Sequence, residues 1–169
     1  MTTYIQEAIR TESQQFDAAR PRLLHAALGI VTEIMEYFDN EDEINAKEEL
    51  GDVYWYVAIA ADELGMTFDE IKASHDGVGT TYSAIGGLCD VIKRAHFYGV
   101  PFDTETFTQW LGLTLHWLER ICVYENVTPE ECMAANIAKL SARFPGKFTT
   151  VNAVNRDKDA EIKAVKTSR

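Results

Sequence analysis

The chain is short of positive charge: 16 lysines and arginines stand against 27 aspartates and glutamates, leaving a formal charge of −11 over 169 residues. A broad basic face for nucleic acid is therefore not expected, and no nucleic-acid partner is assigned. Long apolar runs are missing too. The longest, 53–61, falls far below the roughly 20 residues that a membrane-spanning helix needs. The first residues, Met1-Thr2-Thr3-Tyr4-Ile5-Gln6-Glu7, have neither a basic start nor an apolar signal core, so the expected compartment is the cytosol, or a host's cytosol if the chain is viral. Cysteine is scarce and oddly numbered. Cys89, Cys122 and Cys132 form no Cys-x-x-Cys or Cys-x-x-His spacing, which argues against a disulfide framework or a zinc site and for buried thiols. Only four prolines and ten glycines punctuate the chain, and between them apolar residues recur at three and four positions rather than two. That period predicts an all-α fold, and 46% hydrophobic residues suffice for one well-cored domain.

The expected order is a helix over 3–19, a break at Arg20-Pro21, and a second helix over 23–38 that is apolar nearly all round. After the acidic turn Asp39-Asn40-Glu41-Asp42-Glu43 a third helix runs to Leu64, about 33 Å long at 1.5 Å per residue, with Gly65 as its stop. Thr67 and Glu70 have the capping-box spacing and open a short helix that ends near Gly77-Val78-Gly79, the candidate linker. The pattern then restarts. Residues 84–93 can be laid on 27–36 at an offset of 57, while 111–118 on 50–57 and 128–131 on 67–70 share an offset of 61. A duplicated helical hairpin explains this, as does the general likeness of amphipathic hairpins. The expected divisions are 1–77, 80–144 as a degenerate second half, and a tail over 145–169 with a short helix, all within one domain.

Four acids carry the chemistry. Glu33 and Glu36 on the second helix and Glu49 and Asp52 on the third are each spaced by three, which puts both members of a pair on one helix face. The stripes read His25, Gly29, Glu33, Glu36 and Asn45, Glu49, Asp52, Tyr56, set among apolar residues. An isolated pair of this kind is ordinarily solvated surface. Two pairs on greasy helices, packed antiparallel, converge instead. Such a cluster raises its own pKa values and opposes folding unless something positive joins it, and all-oxygen ligation suits a hard divalent cation, Mg²⁺ above all. A di-iron bundle needs Glu-x-x-His, and none of His25, His75, His96 or His116 lies three residues after a glutamate. The turn 39–43 lacks the glycine and terminal glutamate of a calcium-binding EF-hand loop.

Glu33-x-x-Glu36 followed by Glu49-x-x-Asp52 resembles the metal-binding signature of the MazG-like, all-α nucleoside triphosphate pyrophosphohydrolases. The flanks are similar as well: Arg10-Thr11-Glu12-Ser13, Leu23-Leu24-His25-Ala26-Ala27, Lys47-Glu48-Glu49-Leu50-Gly51-Asp52, the stretch from Asn136 to Phe144, and Asn155-Arg156-Asp157. The resemblance implies a MazG-like helical bundle. It also implies cleavage of a (deoxy)nucleoside triphosphate between its α and β phosphates to the monophosphate and pyrophosphate, with Mg²⁺ or Mn²⁺ on Glu33, Glu36, Glu49 and Asp52. Such an activity controls or cleanses a nucleotide pool, and the compact, rearranged form points to a phage-type member. Many members carry a further glutamate, a candidate general base, just before the first metal ligand. Thr32 stands there in this chain, so either Glu48 serves as the substitute or metal-bound hydroxide suffices, and the alternative for Glu48 is a solvated helix position.

Lys139 and Arg143, four apart with Asn136 on the same stripe, resemble the family's phosphate-contacting pair, and Asn155 and Arg156 join them as substrate-binding candidates. The segment from Lys93 to Pro101 is similar to one that ordinarily follows the first metal helix, yet here it sits in the second half. In the repeat alignment Glu33 maps to Asp90, Glu36 to Lys93, Glu49 to Trp110 and Asp52 to Leu113, so the second copy cannot hold the metal. The expectation is a division of labour within an intramolecular pseudo-dimer: the first half binds metal while Lys93, Arg94 and Tyr98 complete the site as a partner subunit would. The alternative is that Lys93 and Arg94 flank a loop. Homo-oligomers, dimer or tetramer, are expected from the family. Trp55, Tyr56, Trp110 and Trp117 offer stacking surfaces for a base, though aromatics at helical spacing are more often core. Competing functions are a noncatalytic helical module with a structural cation, and a dUTPase- or dCTPase-type member of the same superfamily.

Overall fold

The computed structural model describes residues 2–12, 21–39 and 43–167. All regular structure among them is helical: α1 (Thr2–Ile9), α2 (Pro21–Asp39), α3 (Glu43–Leu64), α4 (Phe68–Ala73), α5 (Thr81–Phe97), α6 (Thr104–Tyr124), α7 (Pro129–Arg143), α8 (Thr150–Val154) and α9 (Lys158–Thr167). The expected first helix is shorter than its apolar period suggested. It closes at Ile9 because the N–H groups of Thr11 and Glu12 bond three residues back, to Ala8 and Ile9, and the Thr11 hydroxyl also donates to the Ala8 carbonyl. The remainder of that expectation, 13–19, lies outside the described residues, as do Arg20 and positions 40–42 of the acidic turn. Pro21 opens α2, where its missing N–H costs nothing. The cap read at Thr67 forms, and the aligned Thr128 forms one too: they accept from the N–H of Glu70 and Glu131, whose carboxylates bond back.

The helix α3 is the axis of the fold. Val53, Tyr54 and the whole of 57–61 are buried, because α1, α2 and α7 enclose it, and only Trp55 and Tyr56 in that run keep partial exposure. Its pairing with α2 is antiparallel. His25 near the start of α2 meets Tyr56 edge-on at 5.3 Å between ring centroids, and further along Glu33 lies against Glu49. Gly29 makes this possible, since a Cβ there would stand 2.2 Å from the Tyr56 ring. The core continues through Leu23, Ile30 and Leu50 to Leu88, Leu111 and Leu118. Each such side chain contributes on the order of 1.5–3 kcal/mol by leaving water.

The third helices of the two aligned sequence blocks pack crosswise. The helix α7 packs on α3, and α4 packs on α6. Two glycines mark the contacts. A Cβ on Gly51 would lie 2.6 Å from the Cys132 carbonyl oxygen, and one on Gly112 would lie 2.6 Å from the Ile71 carbonyl oxygen. Gly112 follows Gly51 by 61 positions and Cys132 follows Ile71 by the same number. Cys122 and Cys132 are buried thiols, 4.0 Å apart, and Cys89 is half-buried. The tail contains two short helices rather than one, with α9 lying along α7.

Candidate active site

The antiparallel α2–α3 pairing sets the two acid steps side by side. Glu33, Glu36 and Glu49 each place a carboxylate oxygen within 4.8 Å of the others. These three, with Glu48 and Asp52, form one wall of a cavity of about 410 Å³ whose other lining includes Lys139, Arg143 and Arg156. Trp55, Tyr56, Phe144 and Phe148 supply its apolar surface.

Crowding shows in the electrostatics. Burial, reinforced by Asp52 and Glu36, pushes the Glu33 carboxyl up to about 7 against an ordinary 4.5. Burial and Asp52 push Glu49 up to about 8, with Lys139 only partly offsetting them. Three carboxylate oxygens this close, two of them in the raised acids Glu33 and Glu49, match the donor set of a hard divalent cation.

Asp52 differs from the ligand role read for it. Its Oδ1 accepts from Asn136 Nδ2 at 2.7 Å and its Oδ2 accepts from Lys139 Nζ, so it stands beside the three glutamates but is engaged from α7. Lys139 also donates to Glu48 Oε1 at 3.1 Å. This ammonium is only 2% exposed. Burial alone would pull its pKa down, but Asp52 and Glu48 more than reverse that and hold it charged. The chain itself thus supplies a positive partner for Asp52 and Glu48, from a helix 87 residues downstream of Asp52, while Glu33 and Glu49 stay raised despite it.

Beyond Lys139 lies a second charged group. Glu161 on α9, 3% exposed, accepts from Nε and Nη2 of Arg143 at 2.9 and 2.6 Å, and from Nε and Nη2 of Arg156 at 3.4 and 2.7 Å. Although burial opposes its ionisation, the two guanidiniums hold its pKa down at about 2.

Of the sequence-read candidates, the fold gathers Glu33, Glu36, Glu48, Glu49, Asp52, Asn136, Lys139, Arg143 and Arg156 around one cavity. It does not bring Lys93, Arg94, Tyr98 or Asn155 there. Lys93 pairs with Asp90 one turn back on α5 and sits over the Tyr98 ring, 5.9 Å from its centroid. Arg94 lines a separate cavity of about 620 Å³ with Asp90, Asp103 and Trp110. The expectation that α5 completes the site is therefore corrected: Arg94 turns to a cleft between α5 and α6, Lys93 and Tyr98 are exposed, and the cations beside the acids come from α7 and the C-terminal segment. Asn155 is an exposed residue at the end of α8. Trp55 and Tyr56, read mainly as core, also face the cavity, whereas Trp110 lines the other one. Glu161 was missed altogether. Its only sequence signal is its position five residues after Arg156, too weak to single it out. Phe148 and Ala153 carry no signal of their own.

Compared with known protein families, with curated proteins and with solved structures, the chain finds no match. Among the described residues no helix is long and apolar enough to cross a membrane.

Proposed function

We propose that this chain is a nucleoside triphosphate pyrophosphohydrolase of the MazG-like type, releasing a monophosphate and pyrophosphate. The observation that carries the reading is a single cavity in which three glutamate oxygens within 4.8 Å of one another stand with Lys139, Arg143 and Arg156 and aromatic rings. Mg²⁺ or Mn²⁺ held by Glu33, Glu36 and Glu49, with Asp52 beside them, would neutralise phosphate charge and supply Lewis-acid activation. The chain's own groups do the rest. Arg143 and Arg156 bind phosphate oxygens, and Lys139 holds Asp52 and Glu48 in place. The rings of Trp55, Tyr56 and Phe148 offer flat apolar surface to a base and exclude water around it. Glu48, the carboxylate outside the trio, is the candidate proton acceptor for the attacking water.

The exchanged packing of α4 and α7, with glycine contacts at one common offset, supports the reading of the fold as an intramolecular pseudo-dimer in which one cleft keeps the chemistry. The site then draws its acids from the first block and its cations from the second and the C-terminal segment. This activity belongs where nucleotide pools are, in the cytoplasm. Incubating the chain with a panel of ribo- and deoxynucleoside triphosphates and Mg²⁺, and resolving products by phosphorus NMR, tests it. Monophosphate plus pyrophosphate supports the enzyme and identifies the base. No turnover with any triphosphate overturns it in favour of a binding module.

A further inference from the structure

The C-terminal helix is more than a tail, as its one deeply buried charge indicates. Glu161 has a 4% exposed side chain and meets two guanidiniums, one from the end of α7 and one from the turn before α9. One arginine would suffice to neutralise a carboxylate and dock a helix. Two leave the trio with a net positive charge, and both arginines line the carboxylate cavity. The geometry repeats: each guanidinium presents its Nε/Nη2 edge to Glu161, so each keeps Nη1, which makes no hydrogen bond among the described residues. Other cations nearby are consumed differently. Lys139 is spent on Asp52 and Glu48, and Arg22 on Glu12, Asp62 and Glu63.

We propose that Glu161 is a positioning residue that holds Arg143 and Arg156 as a paired clamp for the phosphate chain of the substrate, so that α9 is part of the site. Long arginine side chains lose rotamer freedom on binding an anion, and a shared carboxylate that orders both beforehand removes that cost from the binding step. Two Nη1 groups held by one carboxylate suit an extended polyphosphate better than a single phosphate. The proposal rests on the triphosphate reading for its substrate, but its geometry concerns anion binding alone.

Titrating the full chain calorimetrically with inorganic tripolyphosphate, with and without Mn²⁺, tests it separately from turnover. Glu161→Gln should weaken tripolyphosphate binding and raise KM for the triphosphate about ten-fold, with kcat changed far less, and Glu161→Asp should restore part of the loss. A purely electrostatic role predicts the opposite, since removing a negative charge beside the arginines should tighten anion binding. Val165→Ala, which removes a buried apolar contact of α9 without touching the trio, controls for loosened docking. Unchanged or tighter binding by Glu161→Gln, or an equal loss in Val165→Ala, overturns the clamp. Tripolyphosphate binding that follows the Glu161 series without any turnover would sink the enzymatic reading and keep the clamp. Absence of tripolyphosphate binding to the unmodified chain under both conditions sinks the clamp.

Discussion

Two clefts in this molecule are built alike and charged differently. Between α2 and α3, Glu33 and Glu49 are driven up to about 7 and about 8, and the compensating ammonium arrives from α7. Between α5 and α6, Asp90 occupies the place aligned with Glu33, and its pKa is lowered chiefly by its hydrogen bond with Lys93 on the same helix. Trp110 and Leu113 stand where Glu49 and Asp52 would. The second cleft settles its charge within one helical turn and has no acid cluster to neutralise. The first cannot settle its charge locally and so binds the chain's distant parts to itself. Strained electrostatics single out the first cleft as the candidate site.

The comparison breaks or sharpens under substitution. Glu49→Gln should abolish turnover, by about a thousand-fold or more, and remove tight Mn²⁺ binding, while Asp90→Asn leaves both unchanged. Steady-state rates and electron paramagnetic titration of Mn²⁺ read this, and equal losses in the two variants would erase the distinction between the clefts. Next in size, Lys139→Ala leaves Asp52 and Glu48 uncompensated and should cost about 3–5 kcal/mol in denaturant unfolding. Lys93→Ala, on the exposed face of α5, should leave the midpoint where it is.

The glycine contacts test the likeness rather than the difference. Gly51→Ala and Gly112→Ala each drive a methyl group toward a backbone carbonyl, and each should cost about 1–3 kcal/mol. A large cost at one and none at the other would argue against an equivalent exchange of α4 and α7.

The pH dependence follows from the raised carboxyls. Below about pH 4.5 they are protonated in folded and unfolded chains alike, and the folded state keeps this contribution in full. From about pH 4.5 to about 8 the unfolded chain has released protons that the folded chain retains, so stability should fall as pH rises through that window. Mn²⁺ or Mg²⁺ takes the ionised carboxylates, so the rise in melting temperature it confers should grow over the same range, and chelation should reverse it. A metal-independent, flat profile would refute the assignment of these shifts. The smallest expected effect is a null: neutralising Lys93 and Arg94 together should leave KM for the triphosphate unchanged, because Lys93 is exposed beside Asp90 and Arg94 lines the other cleft.

Much of this was legible in order along the chain. A three-and-four apolar period, the cap at Thr67, and the two acid pairs at a three-residue step are local features, and local geometry dictates their outcome. The extent of α1 was not legible, because Thr11 and Glu12 turn the chain back through bonds that periodicity does not register. Lys93 and Lys139 look equally suited to meet the acids when read as letters. Burial separates them: one is exposed beside Asp90 and the other is enclosed between α3 and α7. Glu161 carried no pattern at all, since its meaning lies in two arginines brought to it by packing.

The amino-acid order alone determined that the chain is helical, that α2 and α3 each bear two acids on one face, and that the later hairpin carries no such pairs at the aligned positions, because helix period and side-chain direction are set within a few residues. That Lys139, Arg143 and Arg156 rather than Lys93 and Arg94 stand with those acids, and that Glu161 ties α9 to the two arginines of the cavity, only the tertiary structure decided. Charge compensation across 87 or more residues depends on which helix packs on which, and the exchange of α4 and α7 is written in no single stretch of sequence.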